Sequence, residues 1–557
     1  MKKLPIGISD FKEIRIQNYY FVDKSLFIKE IIEENAEVIL LPRPRRFGKT
    51  LNLSILKYFF EKSHHKQKIK SLFQGLKIEK EDIFQTHCCM YPVIYLTFKD
   101  VKHIHFKDAI NAILLLISDE FKRHKYLLES KALDRIEKEK FNNIMLSKAT
   151  ISVFENSLKD LSTYLSKHYN QKALLLIDEY DTPIHTAYYE NYYNEIIAFF
   201  RSFLGAGLKD NPNIFKGVLT GILRVAKESI FSGLNNLAVY SIVRSEYSDK
   251  FGFTENEVNG ILKNNDIEEK LEIIKKWYNG YTFGNNIIYN PWSILNFAAS
   301  ADKEPRSYWA NTASNEIIKD AISQSPQIVK AEFQDLLQDR PIIKRLNENI
   351  VFADLIKDDI TLYSFLLFSG YLNAFSKKNV DEEQHYNLQI PNKEVKQIFK
   401  HVIIKWINEP YGSYKLQMML NALLENETET FEEILNDFVI ETLSYFDTQK
   451  KDVERVYQAF ILGLLVNLSP HYEINSNKES GFGRYDISII PNDRKKNAII
   501  MELKKIGLNE TKDTALANAL KQIEEKKYET EIIKRGFKDI IKLAVTFDGK
   551  RVWVTSG

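Results

Sequence analysis

The stretch Val38-Ile39-Leu40-Leu41-Pro42-Arg43-Pro44-Arg45-Arg46-Phe47-Gly48-Lys49-Thr50-Leu51 decides the fold. An apolar run, Val38 to Leu41, passes through a loop into the amphipathic segment Leu51 to Phe60, which reads as strand, loop, helix. Gly48-Lys49-Thr50 stands at the junction. In a phosphate-binding loop the backbone N–H groups and the helix N-terminus face the anion, the Lys reaches the outer phosphates and the Thr hydroxyl ligates Mg²⁺. That pattern also has a Gly five positions before Gly48, where this chain has Arg43.

A second strand supports the reading. Ala173 to Ile177 is a short apolar run, typical of a strand buried on both faces of a parallel sheet, and it ends in Asp178-Glu179-Tyr180-Asp181. Asp178 is expected across from Thr50, holding Mg²⁺ through water, and Glu179 is expected to polarise the water that attacks a γ-phosphate. The strands Val38–Leu41, Pro92–Leu96, Ala173–Ile177 and Ile214–Leu219 alternate with helical spacing over Phe106–Phe121, Ile151–His168 and Tyr192–Leu208. This is the signature of an α/β parallel sheet covered on both faces. Thr220, after the fourth strand, fits a γ-phosphate sensor and equally a strand-ending turn.

At 557 residues the chain is expected to hold about three or four domains. Its 77 basic and 75 acidic side chains nearly cancel, so any nucleic-acid contact rests on local patches rather than a global field. Cys88 and Cys89 are adjacent and poorly placed to bridge each other, which fits a reducing, cytoplasmic setting. The apolar run after Lys3 is cut by Ser9 and Asp10 too early for a signal peptide, and the stretch near Ala459 to Leu468 is too short to span a membrane. A soluble protein without membrane contact is expected.

Past the sheet, Trp277 to Trp292 is aromatic and turn-rich, reading as a hairpin closed at Gly284-Asn285 and a helix begun by Pro291, together a lid or connector. Further on, a helix containing Leu362–Leu372, a hairpin of Tyr371–Phe375 with Tyr386–Ile390 and a helix after Pro391 follow the order of a winged-helix module. Its charged tip, Lys377 to Glu383, mixes both signs, which favours an intramolecular role over DNA contact.

The last hundred or so residues carry a second chemistry. Asp486 lies in Gly483–Ile490, and Glu502-Leu503-Lys504 follows Ala498–Met501, both on β-patterned runs. Glu502 and Lys504, two apart, share a face. Carboxylates on adjacent strands can hold Mg²⁺ while a Lys beside them orients the attacking water in phosphodiester hydrolysis. Glu454, in the helical stretch Val453–Leu465, is a candidate third carboxylate, and Ala515–Tyr528 reads as a helix carrying Gln522. The same spacing also fits a solvated strand face.

Together these residues resemble the AAA-ATPase-like proteins of bacteria and some archaea that carry a C-terminal nuclease domain of the PD-(D/E)XK superfamily. The marks are Leu4-Pro5-Ile6-Gly7, Tyr20-Phe21-Val22-Asp23-Lys24, the Arg43–Leu51 loop, Asp178–Asp181, Thr220-Gly221-Ile222 with Arg224, Phe231–Asn236 and Trp277–Tyr281. Tyr485 stands where the superfamily's Pro precedes the first Asp. The resemblance implies three parts: a P-loop ATPase domain with its lid over 1–290, a helical connector with the winged-helix-like module over 291–440, and an α/β restriction-endonuclease-like domain over 441–557. It implies ATP and Mg²⁺ as cofactors and nucleic acid, chiefly DNA, as partner, with assembly into a homo-oligomer common in this ATPase class. Nucleotide contacts are expected from Arg46, Phe47, Gly48, Lys49, Thr50, Thr220 and Arg224. Metal contacts are expected from Thr50 and Asp178 in one site and Glu454, Asp486 and Glu502 in the other, with catalysis by Glu179, Asp486, Glu502 and Lys504. Arg45, Arg46 and Arg224 fit either a γ-phosphate or ion pairs with Asp178, Glu179 or Asp181. The alternative is a nucleotide-switched signalling or scaffold ATPase whose C-terminal domain binds nucleic acid or a partner without cutting.

Overall fold

A computed structural model describes residues 2–224, 230–231, 234–309, 327–350, 358–380, 383–399, 412–442, 453–465, 468, 471–507 and 510–557. Ser232 and Gly233 of the family marks, residues 381–382 of the charged tip and the helix after Pro391 beyond residue 399 lie outside the described residues. The chain forms two compact units, residues 1–313 with 343–395 and residues 314–342 with 396–557, so the segment 291–440 is divided between them.

The first unit is built on β1 (Val38–Pro42), β2 (Val93–Thr97), β3 (Ala173–Asp178), β4 (Ile214–Gly221) and β5 (Leu237–Val239). Their order is β2-β3-β4-β1-β5 and every neighbouring pair is parallel. β1 and β3 are buried along their whole length, which is why they read as unbroken apolar runs. The sheet is accompanied by α1 (Lys49–Phe60), α2 (Phe106–Arg123), α3 (Ser157–Tyr169), α4 (Thr182–Tyr189) and α5 (Tyr193–Leu208). The expected single helix Ile151–His168 is two, Ile151–Glu155 and α3. At the break the Asn156 amide donates to the Ser152 carbonyl (3.0 Å) and the Ser157 hydroxyl to the Phe154 carbonyl (2.6 Å), local bonds that compete with helix continuation. Because all five strands are parallel, the loops after β1, β3 and β4 emerge at one edge, where open α/β sheets bind ligands.

The aromatic run forms the hairpin β6 (Tyr281–Phe283) and β7 (Asn286–Ile288), followed by α6 (Pro291–Ala299), whose first turn is capped by the Asn290 side chain. Beyond it, β8 (Ile342–Arg345), α7 (Asp359–Phe368), β9 (Asn373–Val380) and β10 (Glu383–Gln389) supply a three-stranded sheet ordered β8-β10-β9. The hairpin is longer than expected, with Lys377, Lys378 and Asn379 still in the ladder.

The second unit contains α8 (Val453–Leu465), β11 (Tyr472–Ser480), β12 (Gly483–Pro491), β13 (Ala498–Lys505), α9 (Lys512–Glu525), β14 (Ile540–Asp548) and β15 (Arg551–Ser556). The sheet runs β11-β12-β13-β14-β15 and is antiparallel except for β13–β14, the pair whose crossover contains α9. Among the described residues no helix is long and apolar enough to cross a membrane.

Candidate active sites

In the loop between β1 and α1 each residue from Arg43 to Phe47 has its own partner. Arg43 is fully buried, and its guanidinium donates to the carbonyls of Pro42 (2.8 Å), Tyr240 (2.6 Å) and Tyr247 (3.3 Å) while lying over the Phe251 ring. Burial pushes it down to about 9, so it stays charged at neutral pH. Pro44 packs against Gly370, a left-handed position (φ 90°) where a Cβ would come within 2.9 Å of the Pro44 Cβ. The Arg45 carbonyl accepts from the Trp309 indole (3.2 Å), the Arg46 guanidinium lies 4.4 Å from the Trp292 ring centre, and Phe47 is buried against Tyr281 and Phe283. A tethered arginine thus stands where such loops usually have a glycine. The left-handed turn itself sits at Arg46 (φ 67°) and Gly48 (φ 86°).

The acids after β3 meet this loop from a distant part of the sequence. Asp178 is buried and accepts the hydroxyls of Thr50 (2.7 Å), Thr220 (2.7 Å) and Thr97 (3.4 Å). Burial raises its carboxyl. Lys49 is also buried, which lowers its amine, and donates to the carbonyls of Arg43 (3.1 Å) and Pro44 (3.0 Å). Glu179 has left-handed backbone (φ 50°) and accepts from the Thr182 hydroxyl (3.3 Å). Asp181 takes the N–H groups of Ile222 (2.7 Å) and Leu223 (3.0 Å) and touches His185 (3.2 Å). Against the upward push of burial, His185 and those N–H groups hold its carboxyl below the ordinary range.

Arg46 to Thr50 and Glu179 line one cavity of about 480 Å³, whose walls include the Pro5–Ser9 segment, Tyr20 and Trp292. Thr220 is fully buried beneath Asp178, and neither it nor Arg224 is among the lining residues. Arg224 lends its carbonyl to the Ile350 N–H (3.3 Å).

In the second unit the β12–β13 ladder ends at Ile487↔Met501. Just past it the Asp486 carboxylate, instead of a backbone carbonyl, accepts the Leu503 N–H (2.7 Å), and Gln458 of α8 donates to the Asp486 carbonyl (2.8 Å). Glu502 is buried; one oxygen accepts from Gln522 of α9, which also donates to the Tyr528 hydroxyl (3.1 Å), and the other has no hydrogen-bond partner among the described residues. Burial and then Asp486 push the Glu502 carboxyl up, and burial and then Glu454 push Asp486 up, while the Lys504 charge draws both down. Glu454 is exposed and accepts the Lys505 N–H (3.0 Å). Among the described residues no group of three acidic, His or Cys side chains is placed to hold one ion, and the exposed Glu454 acts on Asp486 and Glu502 through its charge. Two crowded carboxylates with one unsatisfied buried oxygen suit a hard divalent cation.

Sequence reasoning did not single out Thr97, Gln458, Tyr528 or Trp309. Thr97 had a signal, as a polar residue closing a strand beside β3. Trp292 belongs to the segment expected as a lid or connector, and its place against Arg46 needs the fold.

A parallel sheet of this order, with Gly-Lys-Thr after β1 and Asp-Glu after β3, defines a P-loop ATPase-like domain, and the forked β12–β13 pair belongs to a second, nuclease-like α/β domain. Residues 5–231 match the family model described as predicted AAA-ATPase, and residues 452–557 match that of the PD-(D/E)XK nuclease superfamily. The chain is also similar to an "uncharacterized protein in vnfD 5'region" of Azotobacter chroococcum mcd 1, 24% identical over 550 residues, which span 96% of this chain and 94% of that one.

Proposed function

We propose that this protein is an Mg²⁺-dependent ATPase coupled to a metal-dependent nuclease that hydrolyses phosphodiester bonds in DNA. The observation that carries the reading is the crowding of Asp486 and Glu502 beside Lys504, in a chain that also brings Thr50 to Asp178 across 128 residues. Backbone N–H groups from Arg46 to Thr50 bind the phosphates at the N-terminus of α1. Lys49 exchanges its two carbonyl partners for the outer phosphates. Thr50 and Asp178 would hold the ion in this site, and Glu179, steadied by Thr182, orients the attacking water. In the second site Asp486 and Glu502 would hold the ion, Gln522 and Tyr528 fix Glu502, and Lys504 orients the nucleophile. When bound, Mg²⁺ neutralises the clustered carboxylates and polarises a phosphoryl oxygen. Two buried, unbridged cysteines support a cytoplasmic setting.

The test is cleavage of linear and circular DNA with Mg²⁺, together with ATP turnover. Glu502→Ala and Lys504→Ala should each abolish cleavage while leaving turnover intact, and Lys49→Ala should abolish turnover. Cleavage unchanged in both nuclease variants overturns the site assignment.

A further inference from the structure

Arg46 is the strained point of the phosphate loop. Its left-handed backbone is unfavourable for a non-glycine residue and persists only where the surroundings hold it. Two contacts do so. Trp292 stacks on the Arg46 guanidinium from within the cavity wall. Trp309, fully buried and not among the cavity's lining residues, donates its indole N–H to the carbonyl of Arg45.

The second contact has a geometric consequence. The peptide between Arg45 and Arg46 is planar and trans, so its C=O and N–H point in opposite directions. Holding the carbonyl on the Trp309 side turns the Arg46 N–H the other way, away from Trp309, and Arg46 is one of the residues that line the cavity.

Trp309 is held in turn by a buried carboxylate. Its backbone N–H donates to Glu394 (2.6 Å), whose other oxygen accepts the Ser293 hydroxyl of α6 (2.7 Å). Glu394 is fully buried, a costly place for an acid with no ion-pair partner among the described residues, and burial pushes its carboxyl up to about 7. The same helix α6 carries Trp292 one residue earlier, so both tryptophans on the loop are referred to one node.

We propose that Trp309 and Glu394 are positioning residues of the phosphate site: Trp309 aims the Arg46 N–H at the nucleotide's phosphates, and Glu394 fixes Trp309. The proposal rests on the ATPase reading and adds to it residues that lie beyond the segment matched to the ATPase family.

The experiment is calorimetric titration of the full-length protein with Mg·ATP and with pyrophosphate, which has phosphates and no base. Trp309→Phe keeps a ring and removes the donor, and should weaken both ligands about five- to tenfold, the worth of one backbone-orienting hydrogen bond. Arg46→Gly relieves the left-handed strain, so the Trp309→Phe loss should shrink at least twofold in that background, a coupling that general loosening of the core would not produce. Should Trp309→Phe fail to fold, Glu394→Gln carries the test, with about a two- to threefold loss on both ligands. Binding as tight as the parent's in these variants, or a loss confined to ATP, overturns the proposal. Parent binding abolished by Lys49→Ala shows the ATPase reading standing apart from it, and a parent that binds neither ligand overturns both.

Discussion

Asp181, just past β3, and Glu502, within β13, are both buried acids, and their surroundings treat them in opposite ways. Asp181 meets two backbone N–H groups and His185, and its carboxyl is held low. Glu502 meets a single side-chain amide and has a second carboxylate nearby, and it is pushed high. In the ATPase-like site one Asp181 oxygen already has backbone and imidazole partners before any ligand arrives. The nuclease-like site leaves its acids in mutual repulsion that a cation would relieve. One fold region stores organisation, the other stores affinity.

The sharpest way to break this contrast is to make the same change in both places. Glu502→Gln should lower DNA cleavage by about 10³-fold or more, since several kcal/mol of charge stabilisation at the phosphoryl group are lost with the ion. The same variant should stabilise the fold at pH 8 by about 1 kcal/mol, the order of one pK unit of relieved repulsion. Asp181→Asn should do the reverse, costing about 1.5–3 kcal/mol for hydrogen bonds to a charged group. Urea unfolding, read by hydrogen exchange in peptides from each region, checks both signs. Two variants that shift stability in the same direction would end the comparison.

The pH response should divide the same way. Asp486 and Glu502 have folded pKa values above their unfolded ones, so their contribution is fully present below the ordinary carboxylate range and is lost as pH rises through the folded values. Asp181 is depressed, so its contribution is present above that range and lost as pH falls through it. Between pH 5 and pH 8 protection factors along β12 and β13 should fall while those around Ile222 and Leu223 hold. Mg²⁺ added at pH 8 should restore β12 and β13, and should do less at pH 5, where protons already serve.

The two regions also differ in how far they could be read from the chain. Gly48-Lys49-Thr50 and Asp178-Glu179 are local signals, each attached to a strand whose burial on both faces writes itself as an apolar run. The forked pair at Asp486 and Glu502 was visible as two β-patterned runs. What holds these groups was not visible, because it is long-range. Arg43 looked like a defect in a phosphate loop until Tyr240, Tyr247 and Phe251 surrounded it, and Trp309 is 264 residues from the carbonyl it holds. β5 is three half-buried residues, too short for periodicity to register. Thr220 and Arg224 followed a strand toward the cavity in sequence, yet Thr220 turns inward onto Asp178.

The finest test concerns whether Glu502 is held as well as crowded. Gln522 divides its amide between Glu502 and the Tyr528 hydroxyl, so the tyrosine limits how the amide can turn without touching the carboxylate itself. Tyr528→Phe keeps the buried ring, which packs edge-on against Tyr485, and deletes only that acceptor. The Mg²⁺ concentration needed for cleavage should rise about tenfold, the low end of what partners behind a metal ligand contribute. Saturating Mg²⁺ should recover the rate, because the variant still has both carboxylates and Lys504. A lowered rate that no concentration of Mg²⁺ recovers would instead make Tyr528 part of the chemistry, and the nuclease site would then resemble the ATPase site in being organised before its ion binds.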